Sequence, residues 1–258
     1  MAQEVLGDIL YETRGRAAIL TINRPEARNS INTGMREGLF EGFARFEADP
    51  NTRAAILTAT GDKAFCAGAD LKEMSGMKLG VLPRNYLPIL GDTLEVYKPV
   101  IAAVNGAAYA GGWLFAQMCD LVVASHNARF AISEAKVGRG MPWATPLINM
   151  IPQKILLEIL MTGNPITASR AYEIGFVNHV TTQEGLMPKA LELAEAISDN
   201  APLTVMAAKQ MVYAATEMGK SAALDMGRRI FEPVYQSADA QEGPKAFAEK
   251  RKPNWQGR

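Results

Sequence analysis

Short, continuously apolar runs organise the first half of this chain. Residues 9–22 read as two strands around the turn Arg14-Gly15-Arg16, and AAILTA from Ala54, VIAAV from Val100 and DLVVAS from Asp120 follow as single strands. These runs do not alternate between apolar and polar residues, which is typical of strands that are covered on both faces. The spacing therefore predicts an α/β core in which helical or irregular segments separate buried strands.

Helical periodicity appears first after Thr33, where Met35, Leu39, Phe43 and Phe46 recur at the spacing of one helix face. The pattern ends near residues 49–50. Beyond Pro152 strand-like runs are few, and four further helices are predicted over 153–161, 168–174, 184–198 and 202–217. We therefore divide the chain into an α/β core over residues 1–195 and a C-terminal helical region over residues 196–258.

Composition and charge exclude several classes of function. Lys plus Arg and Asp plus Glu number 27 each, so no basic excess is present to bind nucleic acid or an acidic membrane surface. The uncharged run over 99–119 is long enough to span a bilayer, but it is rich in Ala and Gly and is interrupted by turn signals, which favours a buried strand, loop and helix. The N-terminal residues carry acids and no signal-peptide core, which predicts a cytoplasmic protein.

Cysteine and histidine are scarce in this sequence, with two residues of each. A disulfide framework or a zinc cluster is therefore not expected, and neither a metal nor a separate cofactor is predicted. Cys66 and Cys119 are interpreted as packed core thiols, because neither has a histidine close to it in sequence.

Two glycine turns carry the candidate chemistry. In KAFCAGADLKEM, a short strand leads into Gly68-Ala69, after which Asp70 is a natural N-cap with an acid three residues later. A second turn, at Gly111-Gly112, opens an apolar helix that has no reactive side chain before Asp120. Two helix N-termini with free N–H groups are able to form an oxyanion hole, and glycine lets a carbonyl oxygen approach the backbone. Strand-glycine-helix turns also occur simply as packing solutions, so spacing alone leaves both interpretations open.

Several segments in the same order resemble the crotonase superfamily of enoyl-CoA hydratases and isomerases. They are KAFCAGADLKEM, KPVIAAVNGAAYAGGWLFAQMCDLVVAS, FAISEAKVG and the C-terminal FAEKRKPNW, and the similarity covers nearly the whole chain. The resemblance implies a crotonase-like spiral of ββα repeats with a C-terminal helical region used in trimer formation. It further implies an acyl-CoA thioester as the small-molecule substrate, with coenzyme A a part of that substrate, and a homotrimer or dimer of trimers.

Carried over residue by residue, the resemblance gives the N–H groups of Ala69 and Gly111 the role of oxyanion-hole donors. It gives the role of proton-transferring carboxylate to Glu134. It implies that substrate or CoA contacts come from Ala67, Gly68, Asp70, Lys72, Leu114, Arg28, Phe247 and Lys250. The last two reach a neighbouring subunit in this family. From the residues alone, capping is the preferred explanation for Asp70, and Arg28, like Arg24, is also interpretable as a solvated surface charge.

The position of Leu114 departs from the hydratase pattern, which has a glutamate there. Leucine neither holds nor deprotonates water, whereas a single carboxylate at Glu134 is able to move a proton from the α-carbon to the γ-carbon of a 3-enoyl thioester. The apolar neighbours of Glu134 predict a raised pKa. The leading hypothesis is thus an isomerase of enoyl-CoA. The alternatives are an enoyl-CoA hydratase whose water is held by another group, and a non-catalytic scaffold that binds CoA esters.

Overall fold

The computed structural model describes residues 3–77 and 80–258. The strands are β1 Glu4–Leu6, β2 Ile9–Arg14, β3 Ala17–Ile22, β4 Ala54–Ala59, β5 Ala64–Cys66, β6 Val100–Val104, β7 Ala107–Tyr109, β8 Leu121–Ser125, β9 Arg129–Ala131, β10 Ile166–Thr167 and β11 His179–Thr181. The helices are α1 Thr33–Ala48, α2 Leu71–Met77, α3 Gly111–Gln117, α4 Gln153–Thr162, α5 Ala168–Glu173, α6 Leu186–Ser198, α7 Pro202–Thr216, α8 Lys220–Tyr235 and α9 Ala238–Ala248.

The strands form two sheets. The larger has the order β1-β2-β3-β4-β6-β8-β11, antiparallel from β1 to β3 and parallel from β3 onward. The smaller has the order β10-β9-β7-β5, in which β5, β7 and β9 run parallel. The mixed α/β fold predicted from the apolar runs is confirmed.

The continuous apolar strands are explained by a core on each face of the larger sheet. In β4, Ala55 and Leu57 belong to one hydrophobic cluster, whereas Ala54 and Ile56 belong to the other. Successive side chains of a strand point to opposite faces, so a sheet covered on both sides requires apolar residues at every position. Helix α1 contributes its predicted apolar face to the first cluster, and α6 covers the second.

The C-terminal helices pack less deeply than α1 and α6. Helix α8 contains no buried residue and makes its main packing contact with α7. The last strand ends at Thr181, and α6 still lies on the larger sheet. The division at residue 195 remains a prediction. Over the described ranges, no helix combines the length and the apolar character that crossing a bilayer requires.

The predicted strands and helices are present within a few residues of their expected ends. The strands missed by sequence reasoning are the short ones: β1, β7, β9, β10 and β11 have two or three residues each. A segment of that length has too few positions to display a periodicity, and its pairing partner decides its conformation.

Candidate active site

Three parallel strands of the smaller sheet bring the candidate residues to one edge. In β5, β7 and β9, Cys66 pairs with Ala108, and Ala108 with Phe130. The carboxyl ends of parallel strands lie at the same edge of a sheet, so the segments that follow these strands are neighbours. The turn at 67–70, the turn at 110–112 and the segment at 132–134 are therefore adjacent, although they are far apart in sequence.

The two glycine turns touch each other. A Cβ atom placed on Gly68 would lie 2.9 Å from the Cβ of Ala110 and 3.9 Å from the amide nitrogen of Gly111. A Cβ on Gly112 would lie 2.1 Å from the carbonyl oxygen of Cys66, and Gly68 has a φ of 93°. Glycine is required at 68 because the φ is positive and the Cβ of Ala110 lies close, and at 112 because the carbonyl oxygen of Cys66 occupies the space that a side chain needs.

Both predicted donor amides are left without an acceptor. The turn at 67–70 is held by the N–H of Ile31, which donates to the Gly68 carbonyl over 2.8 Å, and by the N–H of Asp70, which donates to Ile31 over 2.9 Å. Between these bonds, the N–H of Ala69 has no protein acceptor among residues 3–77 and 80–258. The same holds in the described part of the chain for the N–H of Gly111, the first residue of α3. Such free helix-terminal donors are the components that an oxyanion hole needs.

Ala110 is a strained residue that the sequence did not reveal. Its φ is 52° and its ψ is −120°, outside the regions that non-glycine residues ordinarily occupy. Because the ψ of residue 110 sets the plane of the next peptide, this conformation determines where the N–H of Gly111 points. The residue is held by its own N–H, which donates to the carbonyl oxygen of Ala131 over 2.8 Å.

Glu134 is a buried carboxylate at the start of a 3-10 helix over residues 134–137. The residue is only 8% exposed, and its Oε2 atom has no hydrogen-bond partner in the described structure. The pKa of Glu134 is raised above its usual value, chiefly because burial penalises the charged form. Interactions with the Trp143 side chain and with backbone at residues 133 and 134 act in the opposite direction. A carboxylate with a raised pKa is suited to general acid-base chemistry.

Leu114 is 1% exposed on α3, three residues after Gly111. Its side chain borders a cavity of about 760 Å³ that Gln117, Met118 and Trp143 also line. The structure thus places an apolar side chain, not a second carboxylate, between the glycine turn and this cavity.

Asp70 and the charged residues near it are engaged in structural interactions. The Asp70 carboxylate accepts hydrogen bonds from the N–H groups of Lys72 and Glu73 and pairs with Arg24 over 3.3 Å. Burial alone would raise the pKa of Asp70, but these bonds outweigh it and lower the pKa. Arg24 also donates to the Ser30 carbonyl over 2.6 Å, so its interpretation as a solvated surface charge is wrong.

The remaining predicted contacts are more dispersed. Arg28 and Lys72 are exposed, and the carbonyl oxygen of Arg28 accepts from the N–H of Ala67 over 3.2 Å. Phe247 is 87% exposed on α9, and Lys250 follows it in a left-handed conformation with φ 52°. Across the residues that the structure describes, no hydrogen bond or ion pair joins the segment 238–250 to the turn at 67–70.

The two cysteines are packed in the core and are not assigned a role in this chemistry. Both thiols are free and buried, as predicted, and burial raises the pKa of Cys66 to about 12. Thiolate chemistry near neutral pH is therefore unfavourable at Cys66.

Similarity to known proteins covers nearly the full chain. The sequence profile of the family described as enoyl-CoA hydratase/isomerase matches residues 12–258. The enoyl-CoA hydratase EchA19 of Mycobacterium tuberculosis is 41% identical over 97% of this chain and 97% of its own length. The (E)-benzylidenesuccinyl-CoA hydratase of Thauera aromatica is 36% identical over 96% of this chain and 99% of its own. The crystal structure of enoyl-CoA hydratase EchA1 from Mycobacterium marinum superposes with a TM-score of 0.90 at 36% identity, covering 98% of this chain and 100% of that one.

Proposed function

This chain belongs to the enoyl-CoA hydratase/isomerase family, and from that membership we propose that it shifts the double bond of an enoyl-CoA thioester with Glu134 as its carboxylate base. Its place among acyl-CoA enzymes follows from the family. The specific reaction is our proposal, and the observation that carries it is the buried Leu114 where hydration by two carboxylates would need a glutamate.

The oxyanion hole supplies the electrostatic part of the proposed mechanism. The thioester oxygen accepts hydrogen bonds from the N–H groups of Ala69 and Gly111, both of which lack a protein acceptor among the described residues. Negative charge grows on that oxygen when the α-carbon loses a proton, so the donors stabilise the dienolate more than the ground state. The loss of one such donor typically costs about a hundred- to a thousandfold in rate.

Glu134 carries the proton in the same mechanism. Its carboxylate takes a proton from C2 of a 3-enoyl thioester, the electrons of that C–H bond delocalise into the thioester, and the 3,4 double bond moves to the 2,3 position when the same proton is returned at C4. No atom is gained or lost. The low exposure of Glu134 supports this retention, because water has little access to the protonated carboxyl.

We further propose that coenzyme A lies along the turn at 67–70, with Lys72 and Arg28 near its phosphates. Both side chains are exposed. Lys72 follows the turn directly in sequence, and the backbone of Arg28 is hydrogen-bonded to the N–H of Ala67. Phe247 and Lys250 complete the CoA site of a neighbouring subunit in a homotrimer or dimer of trimers. The exposure of Phe247 supports a contact with a second chain.

Hydration of a 2-enoyl-CoA is the second candidate, and the names of the relatives favour it. EchA19 and the Thauera protein are both described as hydratases. In this chain the water would have to be held by a group other than residue 114, because a leucine side chain accepts no hydrogen bond.

Product analysis separates the two reactions. A 3-enoyl-CoA deuterated at C2 and an unlabelled 2-enoyl-CoA are each incubated with the protein, and the products are analysed by mass spectrometry and NMR. We expect the 3-enoyl substrate to yield a 2-enoyl product of unchanged mass, with part of the deuterium at C4. Addition of the mass of water to the 2-enoyl substrate, without any shift of the 3-enoyl double bond, would contradict the proposal and establish the hydratase.

A further inference from the structure

A large cavity lies beside the proposed reaction centre and is not used by the chemistry described so far. It has a volume of about 760 Å³ and four walls: the segment 89–97, the C-terminal half of α3, the segment 142–150 and the inner side of α7. This volume falls within the range of about 300–1,000 Å³ that is typical of small-molecule sites.

Two walls of the cavity are locked together next to Glu134. The Nε2 atom of Gln117 on α3 donates to the carbonyl oxygen of Trp143 over 2.9 Å, and Gln117 is buried. Trp143 therefore has a fixed backbone position while its side chain interacts with Glu134. The wall nearest the base is preformed and does not depend on a ligand for its shape.

The α7 wall is held by Asp120, which lies just beyond the end of α3. Lys209 forms an ion pair with Asp120 over 2.9 Å, and the hydroxyl of Tyr213 donates to the other carboxylate oxygen over 2.9 Å. The side chains of Lys209 and Asp120 are only 14% and 15% exposed. Partly buried, multiply bonded pairs of this kind fix geometry, so α7 stays at its distance from α3 and the space between them remains open.

The cavity starts at Leu114, close to where the acyl chain would leave the oxyanion hole. Leu114 follows Gly111 by three residues on α3, just under one helical turn and about 4.5 Å along the axis. An acyl group whose thioester oxygen lies at the Gly111 N–H and whose C2 faces Glu134 therefore directs its remaining carbons past Leu114. Met118 and Met206 continue this surface with apolar side chains, while Glu95 and Glu217 are exposed at the outer part of the lining.

Resting on the proposed function, we propose that this cavity receives the part of the acyl group beyond the double bond, and that the substrates are enoyl-CoA thioesters with large, uncharged, mainly apolar acyl groups. At about 30 Å³ per water molecule in the liquid, the cavity has room for roughly 25 water-sized groups. A four-carbon enoyl group has at most one carbon beyond its double bond and would leave the space empty. The lining contains three carboxylates, Asp92, Glu95 and Glu217, and one cation, Lys209, which is already paired with Asp120. The lining therefore disfavours an acyl group that ends in a carboxylate.

Binding of unreactive analogues tests the inference independently of the reaction. The dissociation constants of saturated acyl-CoA thioesters from butanoyl to decanoyl are measured by calorimetry. Each methylene group that is fully transferred from water into the cavity should lower the dissociation constant by about fourfold. We expect affinity to rise by about that factor per carbon over at least the first four carbons after butanoyl, and a terminal carboxylate to weaken binding at equal length.

A matched pair of variants on α7 locates the effect. Ala214 is half-buried and lines the cavity, whereas Ala215 is exposed and does not. Ala214→Trp should abolish the gain with chain length and leave butanoyl-CoA binding unchanged, while Ala215→Trp should behave as wild type.

Three results would overturn the inference: affinity independent of chain length in the wild type, equal effects of the two tryptophan variants, or a change in oligomeric mass for Ala214→Trp with an unaltered chain-length series. The last would show that a second copy of the chain occupies the cavity. These results differ from a failure of the proposed function. In that case long acyl-CoA thioesters would bind as expected, but the protein would not shift the double bond of a 3-enoyl-CoA.

Discussion

Replacement of Glu134 by glutamine isolates the proton transfer from folding and binding. Glutamine has the shape of glutamate and no basic oxygen near neutral pH. In the described structure the Oε2 atom of Glu134 has no hydrogen-bond partner. The Trp143 side chain interacts with Glu134, and glutamine keeps an oxygen that is able to accept a hydrogen bond from it. The substitution therefore removes the proposed base and leaves that contact possible.

The expected loss of turnover follows from the role of a positioned base. General base catalysis contributes about a hundred- to ten-thousandfold, equivalent to about 2.7 to 5.4 kcal/mol of transition-state stabilisation. We expect Glu134→Gln to lower kcat for a 3-enoyl-CoA by at least about a hundredfold. The dissociation constant of a saturated acyl-CoA should stay within about twofold of wild type, because the oxyanion-hole donors and the cavity are unchanged.

Glu134→Gln should lower turnover but raise the thermal stability of the folded protein near neutral pH. The pKa of Glu134 is raised in the folded protein because burial disfavours the charged carboxylate. Below the pKa that Glu134 has in the unfolded chain, its side chain is protonated and burial carries no charge penalty. As the pH rises through the higher pKa of the folded protein, the carboxylate becomes charged and the free energy of unfolding falls. The amide carries no such penalty, so the melting temperature of Glu134→Gln should match wild type in acid and exceed it near neutral pH.

Steady-state kinetics, calorimetry and thermal melts check these expectations on one preparation. Glu158→Gln is the control, because Glu158 is an exposed carboxylate on α4, the helix that packs against the segment 134–137. Turnover within tenfold of wild type for Glu134→Gln, with normal acyl-CoA binding, would remove Glu134 from the mechanism and refute the reasoning from its burial.

Two further predictions concern the surroundings of Glu134 and of the glycine turns. Because the base must be deprotonated, the rate should fall as the pH decreases, and the midpoint of this fall should lie above the ordinary pKa of glutamate. Trp143→Phe should move that midpoint to higher pH, since the Trp143 side chain lowers the pKa of Glu134. A pH–rate profile whose midpoint is the same in the variant and the wild type would count against this contact. Gly112→Ala places a Cβ 2.1 Å from the Cys66 carbonyl oxygen, so thermal or denaturant unfolding should show a loss of about 1–3 kcal/mol. Gly76→Ala on α2 meets open space and should be neutral or slightly stabilising; an equal loss in both variants would show that backbone proximity is not the cause.

Sequence reasoning succeeded where local patterns carry the information. The long strands β2, β3, β4, β6 and β8 appear as continuous apolar runs because both faces of their sheet are covered. Helix α1 displays its buried face at helical spacing, and Asp70 shows its capping role by its place before α2. Family membership was predictable for the same reason, since several motifs occur in order along the chain.

Sequence reasoning failed where contacts between distant segments decide the structure. Strands β7, β9 and β10 have two or three residues and exist because they pair with one another or with β5. Arg24 looked like an isolated surface charge, yet Asp70, 46 residues away, binds it.

By itself the sequence determined the layered α/β core, the family and which residues are candidates for the chemistry, because apolar periodicity and motif order are written along the chain. Only the tertiary structure decided what those candidates can do. The burial that raises the pKa of Glu134, the φ of 52° that aims the peptide after Ala110, and the cavity held open by Asp120, Lys209 and Tyr213 all depend on segments far apart in sequence. Desolvation, strain and empty volume are properties of a packed neighbourhood, and a one-dimensional pattern does not contain them.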